Sequence, residues 1–458
     1  MIIIKYLGIQ ELEPKARSLL IKFFYFFLIN SFFMSLSSTF FALYLIDKMG
    51  FTLTGIIVAV MLLTQFIFDY PSGSLGDYIG QRWVLIFGYL SWGIAFLVLS
   101  TAQSLSTFLI VTILNGFGSA FFSGALDSWL DNNYKKIDSV DTDRKIYGFA
   151  RSRVNTVNNI AFAASFMTGG FLSTVYSRQT VFYLQFFLSL IMVLVVFTQI
   201  KDISIKKDIE NAQRMEKTGK GRKLHYFTYL QGGIRFMISN KTAFFTLLGM
   251  AILTTTWTIW GMLILFPVYF GYTGDDFKAN LLRTIIYLNG FLIGLYVAKV
   301  SKEFSTEHYP KILLVFILLF FPAILSLLLF IPVQNNFNLV GFILVIITMN
   351  CCTGFIYRIG EVLRMRLLVD LVPSVNRNAV YSLIPTITCL LGVLLLPIAG
   401  QIIDRFELVG GVVVVLSVYF IGFLSITIGF KFMNQNKSDL PLDGSKPTGR
   451  ADKVEVVY

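Results

Sequence analysis

Asp69-Tyr70-Pro71-Ser72-Gly73-Ser74-Leu75-Gly76-Asp77-Tyr78-Ile79-Gly80-Gln81-Arg82 is a short polar stretch between two apolar runs, at about 52–70 and 82–100. Each run is near the roughly 20 helical residues that cross a ~30 Å hydrocarbon layer. The stretch therefore reads as the tight connection of a helical hairpin at a membrane surface. Gly73 and Gly80 permit a tight turn and close helix approach. Asp77 is placed to face the positive end of a neighbouring helix, and Arg82 to pair with a carboxylate. Working outward, the alternation continues along the chain. Apolar runs at about 19–45, 52–70, 82–100, 106–128, 150–172, 179–200, 242–270, 282–300, 311–332, 339–358, 378–399 and 409–431 predict an all-α membrane protein with twelve transmembrane helices.

Composition agrees. Of 458 residues 55% are hydrophobic and 14% charged, and Phe alone occurs 46 times. A soluble domain carries about a quarter charged residues, so lipid is the solvent for most of this chain. Cys351, Cys352 and Cys389 lie in apolar segments, and the two histidines, His225 and His308, lie in polar loops. Neither set has metal-ligand spacing or the pattern of a catalytic triad. No Gly-rich loop ending in Lys-Ser or Lys-Thr marks a nucleotide site. The expectation is a non-enzyme with no metal and no cofactor. The net charge of +12 sits beside the apolar runs, where anionic lipid headgroups account for it, and not nucleic acid.

Orientation follows from the loops. Arg82, Lys135 to Arg153, Lys201 to Lys241, Lys299, Lys302, Arg364, Arg366 and the tail after Lys431 fall on one side. The other side holds little more than Lys48, Arg178, Lys278 and Arg405. The excess of positive charge marks the cytoplasmic face. Both termini are expected there, in a multi-pass protein of the cell inner (plasma) membrane. The first apolar run is too long for a cleavable signal core and is read as a retained helix. Residues 1–200 are expected to form a first six-helix bundle, 201–241 a cytoplasmic linker, 242–433 a second bundle and 434–458 a mobile cytoplasmic tail. Gly170 and Gly400, near the far ends of helices 5 and 11, are a faint echo of a repeat.

The opening stretch resembles the signature loop of the major facilitator superfamily (MFS): Gly73, Leu75, Asp77, Gly80 and Arg82 fall on its pattern, while Tyr78 and Gln81 replace two usually basic positions. Gly124 to Leu130, with Asp127 and Trp129, and Val372 to Ser382, with Pro373 and Arg377, resemble segments of bacterial members. So does the helix end Gly400-Gln401-Ile402-Ile403-Asp404-Arg405. The resemblance is to the drug-efflux-like branch, except that Ser165-Phe166 stands where its helix 5 carries Gly-Pro. It implies two pseudo-symmetric six-helix bundles, a small-molecule substrate, protons as coupling ion and a monomer. It also implies that Asp77 meets the start of helix 11 and helps close the cytoplasmic side. Gly73, Asp77, Gly80, Arg82, Asp127, Asp131 and Arg153 form the expected gating motif, with Arg151 a second partner for the two aspartates. Helices 1, 4, 7 and 10 line the cavity in this family, which nominates Tyr25, Asn30, Asn115, Trp257, Trp260, Asn350 and Tyr357.

Ionisable side chains inside the membrane are expensive, about 2.5–3.5 kcal/mol at a helix centre on insertion scales. Asp69, Arg358 and Glu361 are therefore the coupling candidates, with helix anchoring and gating as the competing roles. The function expected is secondary active transport of a small organic solute by alternating access, as proton-coupled efflux. Uptake of a nutrient or metabolite, export of a lipid or metabolite, and a non-transporting receptor remain open alternatives.

Overall fold

The computed structural model describes residues 2–137, 141, 145–201, 235–300, 303–330, 339–371 and 377–438, and their regular structure is helical throughout. Most of the expected linker, the tail beyond Ser438, the segment Val372 to Asn376 and the Asp77 side chain lie outside this description. The helices used below are α1 (Ile2–Leu7), α2 (Pro14–Met34), α3 (Phe40–Ile79), α4 (Gln81–Thr101), α5 (Leu105–Phe122), α6 (Ala125–Ile137), α7 (Lys145–Val175) and α8 (Arg178–Gln199). After residue 235 come α9 (Lys241–Ile259), a π-helical turn (Trp260–Ile264), α10 (Leu265–Thr273), α11 (Asp276–Val300), α12 (Tyr309–Phe330), α13 (Leu339–Leu371) and α14 (Arg377–Ser438).

Among the described residues nine helical spans are long and apolar enough to cross a membrane. Helices are the expected answer because lipid offers backbone N–H and C=O groups no partner. One span, Leu383–Gln435, runs for 53 residues, more than twice a single crossing. It breaks at Phe406 and Glu407, where Glu407 takes φ 56°. Gly50, at φ 76°, similarly divides α3.

Several expected boundaries move. The polar stretch that opened the reading is mostly helix: α3 continues through Pro71 to Ile79, and only Gly80, at φ 100°, turns the chain. Leu75 and Ile79 pack on the apolar cluster at this end of the molecule, so burial of that face extends the helix past its proline. The first apolar run is interrupted between Met34 and Phe40. The fourth breaks at Ser123 and Gly124, where Gly124 has φ 72°. The tenth runs on to Leu371, carrying Arg358, Glu361 and Arg364 within one helix.

Within residues 2–201, α4 packs on α5 and α8, α3 on α5, and α2 on α7. Within residues 235–438, α9 packs on α14 and α12 on α13. Contact between these two segments concentrates on two helix pairs, α3 with α14 and α7 with α11. The perimeter is apolar: Phe187, Leu194, Leu292, Leu318 and Leu394 are all more than half exposed. A water-soluble surface rarely gathers such side chains; a lipid-facing one requires them.

Candidate functional site

The two ends of the helical assembly differ. At the end away from α1, the segments are sealed together. Arg178, the first residue of α8, donates from Nε and Nη2 to both carboxylate oxygens of Asp276 on α11, each at 2.8 Å. Its Nη1 pairs with Asp47, and the guanidinium lies over the Phe270 ring at 5.3 Å. Such a two-pronged, charge-assisted arrangement is among the stronger polar contacts, and here the Arg178 and Asp276 side chains are only 14% and 9% exposed.

Across the same end, Asp404 accepts from the Thr52 amide at 2.8 Å, the Thr52 hydroxyl at 2.5 Å and the Phe51 amide at 3.2 Å. These are free N–H groups of the helix that restarts after Gly50, so Asp404 of one segment caps a helix of the other. Glycines let the backbones touch. A Cβ at Gly400 would overlap the Phe51 carbonyl, and one at Gly55 the Leu396 carbonyl. On the other pair, Thr284 Oγ1 donates to the Ala163 carbonyl at 3.1 Å, and Gly170 lies against Asn280.

Below this seal lies Arg283, two turns along α11 from Asp276. Its Nη1 donates to Ser38 Oγ at 3.1 Å and Thr39 Oγ1 at 2.9 Å, both in the break between α2 and α3. The guanidinium stacks on Phe166, Phe266 and Tyr287, at 3.9, 4.5 and 5.6 Å from the ring centroids. Its Nε is buried without a partner. Among the described residues it has no ion pair. Ring faces hold a cation electrostatically, each worth about 0.5–2 kcal/mol, and here they stand in for a counter-ion. Tyr269 lies near the same arginine and near Asn350.

Toward the α1 end the segments part around a cavity of about 540 Å³. Arg151, Ser152, Asn155, Thr156 and Asn159 of α7 line one wall, with Gly290 and Gly294 of α11 and Arg358 of α13 opposite. Nothing lies within 4 Å of a Cβ placed at Gly148 or Gly294. The polar contacts described at this end stay inside one segment. Arg151 pairs with Asp127 at 2.5 Å and with Asp131 at 3.9 Å, and Tyr147 bonds both Arg151 and Asp131. Glu361 and Arg364 pair along α13 at 2.7 Å.

A family profile of the Major Facilitator Superfamily matches residues 23–387. The chain belongs to that superfamily. A 156-residue stretch is 23% identical to an uncharacterized MFS-type transporter, MJ1560, of Methanocaldococcus jannaschii, covering 34% of this chain and 38% of that protein. The fold is similar to the nucleoside transporter NupG, with TM-score 0.64 and 15% identity over 93% of this chain and all of that one. It is similar as well to a bacterial homolog of the human lysosomal transporter Spinster, with TM-score 0.65 and 14% identity over 92% and 98% of the two chains. A peptide-transporter-family structure gives TM-score 0.64 and 12% identity over 92% and 96%. The protein is thus a multi-pass membrane transporter of the MFS, and not an enzyme.

In this MFS transporter the described gating candidates make the following contacts, the Asp77 side chain lying outside the description. Asp127 and Asp131 do pair, but with Arg151. Arg153 instead stacks on Tyr6 and Phe149, and Arg82 donates to the Phe197 carbonyl and lies over its ring at 4.1 Å. Asp69 is exposed, near Ser123. Of the cavity candidates, Tyr25 is 49% exposed, whereas Asn30, Asn115 and Trp260 are buried. Asn30 accepts from the Tyr89 hydroxyl at 2.6 Å, and Trp260 packs on Phe320. Trp257 and Tyr357 line a separate cavity of about 130 Å³ inside the second segment, together with Tyr309, Phe316, Tyr419 and the Glu361–Arg364 pair. Asn350 joins the Arg283 cluster. The sequence reading passed over Arg283, although its signal was present: an arginine seven residues past Asp276, inside an apolar helix.

Proposed function

We propose that this MFS transporter is a twelve-crossing carrier of two six-helix bundles, residues 1–200 and 242–433, that moves a small organic solute by alternating access. The observation that carries the reading is the asymmetry of the ends. Cross-segment contacts gather at the end away from α1, while the cavity opens at the α1 end. The loop charge bias supports a cytoplasmic α1 end, which makes this the inward-open state; the Spinster homolog is inward-facing and unoccupied. The division of α3 at Gly50 and of α14 at Glu407 supports the count of crossings. The efflux direction rests on the motif segments alone.

The proposed coupling ion is the proton, with Asp69 as its carrier. Asp69 is an exposed carboxylate in a membrane span and makes no ion pair among the described residues. The test is solute flux in proteoliposomes, across a panel of organic solutes, with and without an imposed pH gradient. Gradient-driven accumulation that is abolished in Asp69→Asn, with downhill exchange retained, is the expected result. Equal accumulation by the variant overturns the role of Asp69, and flux indifferent to the gradient overturns proton coupling.

A further inference from the structure

From the charge of the open cavity we infer that the solute is an organic anion, and that Arg358 is the residue that receives its negative group. The inference rests on the transport reading above and supplies its substrate class. Two arginines and no carboxylate stand among the described residues lining the cavity. Arg151 is neutralised by Asp127 and Asp131. Arg358 makes no ion pair among the described residues; its guanidinium reaches over Gly290, where an added Cβ would lie 3.2 Å from Nη2. A cation held this way in a membrane protein is costly unless something pairs with it, so such residues mark solute or ion paths.

The deeper end of the cavity points the same way. Just beyond Asn159 and Gly290, the Tyr287 ring packs edge to face on Phe162 and Phe166. Immediately behind those rings is Arg283, with no ion pair among the described residues and with a buried Nε lacking a partner. A path leading from the Arg358 guanidinium toward a second one, held by ring faces and hydroxyls and not by a carboxylate, favours an anion. A cationic solute would meet repulsion at both, and a neutral one would leave both unsatisfied. The Ser152, Asn155, Thr156 and Asn159 side chains supply hydrogen-bonding for the uncharged remainder of the molecule.

The test reads cavity charge without needing the natural solute. Cys351, Cys352 and Cys389 are replaced by serine, Asn155→Cys is introduced, and purified protein is labelled with an anionic (sulfonate) or a cationic (trimethylammonium) methanethiosulfonate. The rate ratio is referred to Ile2→Cys, which is 86% exposed at the α1 end. The cavity site is expected to favour the anionic reagent at least about tenfold over the reference, about 1.4 kcal/mol between two reagents that differ by two charges, or about 0.7 kcal/mol per unit charge. Arg358→Gln should remove most of that preference and Arg358→Lys retain it. Benzoate, but not isosteric benzamide or benzylammonium, should slow labelling of the cavity site. A ratio equal to the reference, a ratio unmoved by Arg358→Gln, or protection by benzamide equal to that by benzoate overturns the inference. These readouts are separate from flux. A neutral cavity in a protein that still transports defeats only the anion assignment, and an anion-selective cavity in a protein that moves nothing defeats only the transport reading.

Discussion

The sealed end and the open end solve the same electrostatic problem with different partners. At the sealed end charges are answered across the two segments: Arg178 by Asp276, and the Phe51 and Thr52 amides by Asp404. At the open end they are answered at home, Arg151 by Asp127 and Glu361 by Arg364. A contact between segments holds one conformation against another; a contact within a segment moves with it and is indifferent to which end is open. The difference separates residues that set the conformational equilibrium from residues that only build the fold, and each class carries its own expected phenotype.

The sharpest break is at Arg178. Arg178→Ala leaves the nearly dry Asp276 without its cation, and Asp276→Asn leaves Arg178 with only Asp47 of its own segment. A cross-state preference of about 1–3 kcal/mol, or roughly 5–150-fold, should be lost. It is measured as faster labelling of Phe277→Cys by an impermeant reagent at the sealed end. An unchanged rate would mean that the pair does not hold this end closed.

Next come the glycines, which offer a direct comparison between and within segments. Gly400→Ala and Gly55→Ala would drive a methyl group into a backbone carbonyl of the other segment, and Gly249→Ala into Gly422 and Ile426 of its own. Overpacking costs about 1–3 kcal/mol in each setting. For the first two it should appear as opening of the sealed end with little loss of melting temperature. For Gly249→Ala it should appear as a lower melting temperature with unchanged accessibility. The same phenotype at all three positions would erase the distinction.

A smaller effect is expected at Asp404. Asp404→Asn keeps a hydrogen-bond acceptor for the Thr52 amide and loses the charge facing a helix N-terminus, worth about 0.3–1 kcal/mol at an exposed site. Labelling at Phe277→Cys should rise only a few-fold. A rise as large as that of Arg178→Ala would make the trans-cap, and not the ion pair, the main latch.

This ranking also explains how much was legible in the sequence. Apolar runs fix which stretches enter lipid, because the cost of burying polar backbone and side chains is local and additive along the chain. The breaks at Gly50 and Gly124 are less legible, since a glycine in an apolar run serves either a turn or a close helix contact. Pairings are worse still. Asp127 had Arg82, Arg151 and Arg153 within reach by position, and only packing selects Arg151. Arg283 escaped because the predicted start of its helix, at 282, put it at an interface where arginines are ordinary; with the helix beginning at Asp276 it is deep. Asp404 does at the sealed end what the family resemblance implies for Asp77 at the other.

The smallest effect tests the comparison where it predicts almost nothing. Glu361 and Arg364 are three residues apart on α13, and the Glu361 and Arg364 side chains are 34% and 22% exposed. Pairs of this kind contribute about 0.3–0.5 kcal/mol. Because both partners ride on one helix, their separation is the same whichever end is open. Glu361→Gln should therefore leave labelling at Phe277→Cys unchanged and lower the melting temperature slightly. Glu361 is nevertheless the other carboxylate suited to carrying a proton, so the variant also discriminates between coupling sites. With Asp69 as the carrier, Glu361→Gln retains accumulation driven by a pH gradient and Asp69→Asn does not. If Glu361→Gln loses gradient dependence while its melting temperature and sealed-end labelling stay at the wild-type level, coupling belongs to α13. The aromatic cavity that Glu361 lines with Trp257 and Tyr357 would then be the place where protonation is sensed, and an in-segment pair would be shown to govern the conformational cycle after all.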